Sequence, residues 1–346
     1  LGEYSAACAA GVFDLNAGLD LIVTRARLMQ ALPRTGTMAV VMADEVRVDA
    51  ALESVRDAVS IASINGPNTI VVSGQRGALQ QVLTGFEAKE ADTEMLNTSN
   101  AGHSAIIDPI LEPFRTAADK IQYTRPSVAM VSNLSGSVAG EEVACADYWV
   151  RHAREPVRFA DGMQTIAELG CRTFVEIGPN PNLLAMGMGC VKGLRPRPRW
   201  LPSLTKERSG WETMLYSLGE VYVQGADINW KGFYEPYACS RVSLPTYAFL
   251  QQAFPTLRPP TSRPSVRHQN PSRLPSPNTV ANKVDHMRFG LEDESRVLTK
   301  RLDEIAIRFI IEAVQRHHLF RVLLAGQRFA IVVTSFAADG PFDTCS

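Results

Sequence analysis

The sequence has almost no net charge. Its 35 Lys and Arg nearly cancel 36 Asp and Glu over 346 residues, leaving a formal charge of −1. That balance points away from nucleic acid and from anionic membrane surfaces, which select strongly basic patches. The chain also lacks an apolar run long enough to span a bilayer. Its six cysteines (Cys8, Cys145, Cys171, Cys190, Cys239, Cys345) form no CxxC pair, and none sits near a histidine at metal-ligand spacing. They read as reduced thiols of a cytoplasmic protein with no metal site. The first residues, LGEYSAACAAG, do not read as a secretory leader, which a truncated start would hide; they are small and apolar, like the inside of a domain.

What is present divides the chain. The segment 254–278, FPTLRPPTSRPSVRHQNPSRLPSPN, holds seven prolines among Ser and Arg. It offers too little apolar surface to bury, and it predicts an extended, disordered linker over 254–290. Beyond it, Leu298, Leu302, Ile305, Phe309 and Ala313 recur at helical spacing. Residues 291–346 therefore read as the helical start of a further domain or a tail, with QRFAIVV offering one strand.

Before the linker, elements alternate. Thr37–Met42 reads as a strand, Val46–Ala58 as a helix, and Val59–Asn65 and Thr69–Gly74 as strands about a GPN turn. A helix over Gln75–Lys89 and a strand over Asp92–Thr98 follow. This β-α-β-β-α-β order is the ferredoxin-like split unit. Around it lie a long helix over Leu15–Leu32, a strand over Ser127–Gly136 and a helix over Pro156–Gly170. A buried strand over Arg172–Asn180 comes last, followed by a helix from Asn182. Such alternation predicts an α/β fold, a parallel sheet core with the ferredoxin-like subdomain inserted.

Few residues could carry chemistry. Gly102-His103-Ser104 resembles half of a G-x-S-x-G elbow, but Ile106 stands where the crowded turn needs a small residue, so Ser104 is not read as a nucleophile. His103 is the better candidate, because Asn100, Ala101 and Gly102 form a small-residue loop that can bring an imidazole close to a substrate. The same residue fits a structural role. Arg25, by residue type alone, reads more readily as a surface residue of an amphipathic helix than as an anion clamp. His152 reads as structural.

Further motifs carry a resemblance. LGEY is similar to the continuation of the GHSLGEY motif of malonyl-CoA:acyl carrier protein transacylases. VTRARLMQ (23–30), SINGPNTIVVSG (63–74), TSNAGHSAIIDPILEPF (98–114), VSNLSG (131–136), DYWVRHAREPVRFADGM (147–163) and FVEIGPNPNLL (174–184) resemble further blocks of that family. WLPSL (200–204) and VSLPTYAF (242–249) resemble its trailing linker. The match is closest to the acyltransferase domains of modular type I polyketide synthases. It implies an α/β-hydrolase-like core formed by 1–36 and 104–200, with an N-terminal part lying upstream. It also implies a ferredoxin-like subdomain over 37–103 and a linker over 201–253 that packs on the domain.

The resemblance further implies ping-pong transfer of a malonyl-type group from coenzyme A to the phosphopantetheine thiol of an acyl carrier protein. The serine would stand immediately before Leu1. His103 would be its base near neutral pH, oriented by a backbone carbonyl, and Arg25 would grip the free carboxylate. Leu1 would give one oxyanion amide, and Asn100, Ala101 and Gly102 would set selectivity. Arg158 would lie near the site or simply be ion-paired at the surface. The family signatures are HAFH for malonyl and YASH for methylmalonyl. Asn100 and Gly102 depart from both, and the following SAIIDPILEPF favours malonyl-CoA over methylmalonyl-CoA. No bound cofactor is implied. Acyl carrier, ketosynthase and processing domains would be the partners. Without the upstream serine and strands, the chain alone is expected to be inactive and poorly stable. Two alternatives remain: a serine esterase, whose histidine would come later in the chain, and a non-catalytic fragment of a synthase.

Overall fold

The computed structural model describes residues 1–98, 101–235 and 237, and the backbone of 329–333. The first helix, α1 (Gly2–Ala10), ends at Gly11, whose φ of 78° only glycine adopts without strain. Asp14 then caps α2 (Leu15–Gln30) by accepting from the Ala17 amide at 2.8 Å. The two helices approach closely at Gly18, where an added Cβ would lie 2.4 Å from Cys8 Sγ.

A four-stranded antiparallel sheet follows. It contains β1 (Gly36–Val41), β2 (Val59–Gly66), β3 (Thr69–Gln75) and β4 (Thr93–Leu96), ordered β2-β3-β1-β4. Two helices, α3 (Glu45–Leu52) and α4 (Arg76–Glu87), complete a β-α-β-β-α-β succession. Alternation along β1 and the Leu79, Val82, Leu83, Phe86 stripe of α4 bury one common apolar surface. The helix expected over Val46–Ala58 is shorter, giving way at Glu53 to a 3₁₀ turn and then to β2.

The remaining elements are α5 (Asp108–Ala118), α6 (Ala146–Arg154), α7 (Phe159–Glu168), β5 (Thr173–Ile177), α8 (Asn182–Cys190), β6 (Arg199–Pro202), α9 (Gly210–Val223) and α10 (Trp230–Tyr234). A second, parallel sheet has the order β6-β5-β7, where β7 is Phe329–Val333. The buried Glu176 of β5 accepts from the Leu183 and Leu184 amides and so caps the start of α8. Tyr4, Phe13, Phe114 and Trp149 fill a core between α1, α2, α5 and α6.

One expected strand is absent. Residues 127–136 form no strand; they make a tight turn with a single bridge, Val131 to Val138. The hydroxyl of Ser132 accepts from the Leu134 and Ser135 amides, and this local bonding competes with a ladder. The predicted linker over 254–290 and the helix over 298–325 lie outside the described residues. In the last stretch, the expected strand is β7.

Candidate active site

Three elements meet around the amino end of α1. Arg25 comes from the middle of α2 and is buried, with 7% of its surface exposed. Its guanidinium carbon lies 5.9 Å from the Tyr4 ring centroid. Its Nε has no hydrogen-bond partner, and among the described residues no carboxylate forms an ion pair with it. A buried, unpaired cation is costly unless an anion arrives to meet it.

His103 follows β4 after a short loop. Its φ of 57° is left-handed, a conformation that costs energy for a side chain with a Cβ and aims the imidazole where an extended backbone would not. Nδ1 lies 2.8 Å from the carbonyl of Glu155, at the end of α6. A carbonyl only accepts, so Nδ1 carries the proton and Nε2 keeps a free lone pair. Burial first, then the positive charge of Arg25, pull the His103 pKa down to about 3. The imidazole is neutral and unprotonated at Nε2, ready to accept.

The amino nitrogen of Leu1 lies within electrostatic reach of Arg25, His103 and His152. Sequence reasoning therefore named three groups that the fold brings to one place: Leu1, Arg25 and His103. Ala101 and Gly102 are buried beside them. Among the described residues, a Cβ on Gly102 would meet only Met29 Cε, at 3.7 Å, so this wall of the site has room. Asn100 lies outside the described residues. Ser104 is fully buried; its hydroxyl donates to the Ala101 carbonyl at 2.8 Å and caps the turn at Ile106.

Arg158 is engaged elsewhere. It donates to Asp161 of α7 at 2.6 Å and to Glu45 of α3 at 3.3 Å, tying the antiparallel sheet's helix to the parallel-sheet side. Just before it, Val157 pairs with the edge of β2: the Ile64 amide donates to Val157 O at 2.8 Å, and Val157 N donates to Ala62 O at 2.9 Å.

Sequence reasoning missed a buried polar cluster behind α1. His152 Nε2 lies 3.0 Å from Glu3 Oε2. The Tyr148 hydroxyl donates to Glu3 Oε1 by a short bond, and the Asn133 amide reaches Oε2 at 3.1 Å. Ser132 Oγ is 2.6 Å from the Tyr148 hydroxyl. Burial alone would raise the Glu3 pKa; the charge His152 gains in acid, and then these hydrogen bonds, outweigh it and hold the carboxylate ionised, below its usual range. Burial pushes His152 down, so a neutral imidazole donates Nε2–H to Glu3. The available signal was Glu3 itself, an acidic residue amid small apolar neighbours.

These features define an α/β protein with a neutral histidine and a buried arginine that has no carboxylate partner among the described residues. The chain belongs to the acyl transferase domain family, whose model matches residues 1–228. It is 38% identical over 256 residues to the polyketide synthase GfsA of Streptomyces halstedii, covering 73% of this chain and 3% of that protein. It is 37% identical over 255 residues to the PKS-NRPS hybrid synthetase acdB of Aspergillus candidus, covering 73% and 10%. The acyltransferase domain from the second module of the salinomycin polyketide synthase shares its fold with a TM-score of 0.67 and 39% identity, over 72% of this chain and 58% of that one. FabD from Acinetobacter baumannii aligns with a TM-score of 0.58 at 25% identity, over 65% and 71%. The chain thus spans a small part of the curated relatives it matches. Among the described residues no helix is long and apolar enough to cross a membrane.

Proposed function

We propose that this chain is the greater part of an acyltransferase domain that moves a malonyl-type group from coenzyme A to an acyl carrier thiol. The observation that carries the reading is the Arg25 guanidinium, buried with no carboxylate partner among the described residues, together with a neutral His103 whose Nδ1 is held by a carbonyl. The serine nucleophile stands immediately before Leu1, at the head of α1. His103 Nε2 takes the serine proton as the hydroxyl attacks the thioester, coenzyme A leaves as the thiol, and an acyl-serine ester remains. His103 then serves the carrier thiol in the same way. The Leu1 amide, at the start of α1, supplies one oxyanion donor.

Arg25 binds the free carboxylate through two parallel hydrogen bonds. This contact also acts on the base. Carboxylate binding cancels the charge that helps depress His103, so an arriving substrate makes the imidazole more basic. Malonyl is the favoured unit, and the open space at Gly102 tolerates an α-methyl group. The chemistry needs no bound cofactor. Residues 37–103 form a ferredoxin-like subdomain set into a hydrolase-like core of 1–36 and 104–200, and a linker follows over 201–253. Within the parent synthase, acyl carrier, ketosynthase and processing domains are the neighbours, in the cytoplasm.

The test is loading of labelled malonyl from malonyl-CoA onto the polypeptide that carries this chain together with the residues before Leu1. A stable ester is expected, lost on replacing His103. Arg25→Ala is expected to lower kcat/KM on the order of 100-fold, with Arg25→Lys recovering little. A folded polypeptide that takes up no label would leave a non-catalytic part of a synthase as the reading.

A further inference from the structure

We propose that Glu3 and His152 are positioning residues of this site: their hydrogen bond ties the first turn of α1 to the end of α6 that holds His103. The inference rests on the acyl-transfer reading above. It starts from α6, which closes with His152 and Glu155 three residues apart. The side chain of His152 binds Glu3 Oε2 at 3.0 Å. The backbone carbonyl of Glu155 binds His103 Nδ1 at 2.8 Å. One helix end therefore grips both halves of the reaction. On one side is the turn that carries the residue before Leu1; on the other is the base that must reach it.

Glu3 is not in place for its own helix. An acidic residue in a first turn ordinarily turns back on the exposed amides. This one is turned away and buried, and its described bonds go to α6 and to the 132–135 turn. Burying an ionised carboxylate to fasten one short helix is expensive when an apolar contact would serve. What hydrogen bonds add is direction, which fixes α1 against α6 in position and rotation. Proton transfer needs that accuracy, since a misplacement of about 1 Å costs on the order of 100-fold in rate. The Tyr4 ring also packs on Trp149 and His152 of α6, an apolar contact that sets no direction, so the hydrogen bonds of Glu3 to His152 and Tyr148 are the directional ties between the two helices.

Three variants test this in the polypeptide that includes the residues before Leu1, read as the single-turnover rate of malonyl loading and as KM for malonyl-CoA. His152→Ala and Glu3→Ala are expected to slow loading by about 10- to 100-fold with KM changed less than about twofold, because Arg25 is untouched. Glu3→Gln keeps the bond at issue: its carbonyl accepts from His152 and Asn133, while at Tyr148 its amide must donate and the phenol proton has to turn toward Ser132. It is expected to load within about threefold of the parent. Loss in Glu3→Gln equal to that in Glu3→Ala overturns the proposal, as does a folded His152→Ala that loads at the parent rate. If the alanine variants do not fold, Glu3→Gln alone decides in the same sense. A parent that takes up no malonyl removes the acyl-transfer reading, and this inference with it.

Discussion

Arg25 and His103 act on one another through space, and that coupling can be measured without turnover. Burial is the larger cause of the depressed His103 pKa and the Arg25 charge the next. Replacing Arg25 with Ala removes a positive neighbour, so the His103 pKa is expected to rise part of the way toward about 6.5, its unperturbed value. Histidine side-chain NMR across pH 3–8 reads this directly. An unchanged titration would mean that the guanidinium does not reach the imidazole. Both residues were legible in the sequence only through the family's motifs; by residue type alone each fitted a structural role better. The Glu155 carbonyl was legible by no side-chain signal, because a backbone oxygen has no sequence signature of its own. Glu3 was visible, but its partner His152 lies 149 residues away.

At the scale of the element, α2 delivers Arg25 only if it lies close on α1. Gly18 permits that approach, and a methyl group there meets Cys8 Sγ at 2.4 Å and Phe13 Cε2 at 3.0 Å. Gly18→Ala gains about 1 kcal/mol of helix propensity. It costs about 1–3 kcal/mol in an overpacked core that has little room to yield. A net loss in denaturant midpoint is expected. Adding Cys8→Ala should restore most of it, a coupling that two independent sites would not show. Elements with strong periodicity were read correctly from sequence: α2, α4, β2 and β3 lie within a few residues of their expected limits. Residues 127–136 were misread for a physical reason. Their apolar residues favour a strand, but the Ser132 hydroxyl accepts from the Leu134 and Ser135 amides and Gly136, at a φ of 67°, closes the turn on the Ser132 carbonyl.

For the whole molecule, buried ionisable groups set the response to acid. The folded-state pKa of His103 is about 3, whereas the unfolded chain takes up that proton near about 6.5. Between those limits the unfolded state binds more protons, so stability falls as pH falls through that range. His152 is shifted in the same direction, and Glu3, held ionised, adds its loss at the acid end. The melting temperature is therefore expected to be lower at pH 5 than at pH 7.5, and His103→Gln should flatten the slope. Melting curves at matched ionic strength check both.

The four residues from Glu155 to Arg158 have a last consequence. Within that short reach the chain holds the His103 imidazole, adds a pairing to the edge of β2 and clamps Glu45 of α3. Each link is short and the backbone between them has no slack, so none can open alone. In amide hydrogen exchange, the Ile64 and Val157 protons should therefore leave at a common rate set by one shared opening. The imidazole is fixed in direction only while the strap stays shut, so the lifetime of the closed strap limits how long the base remains aimed.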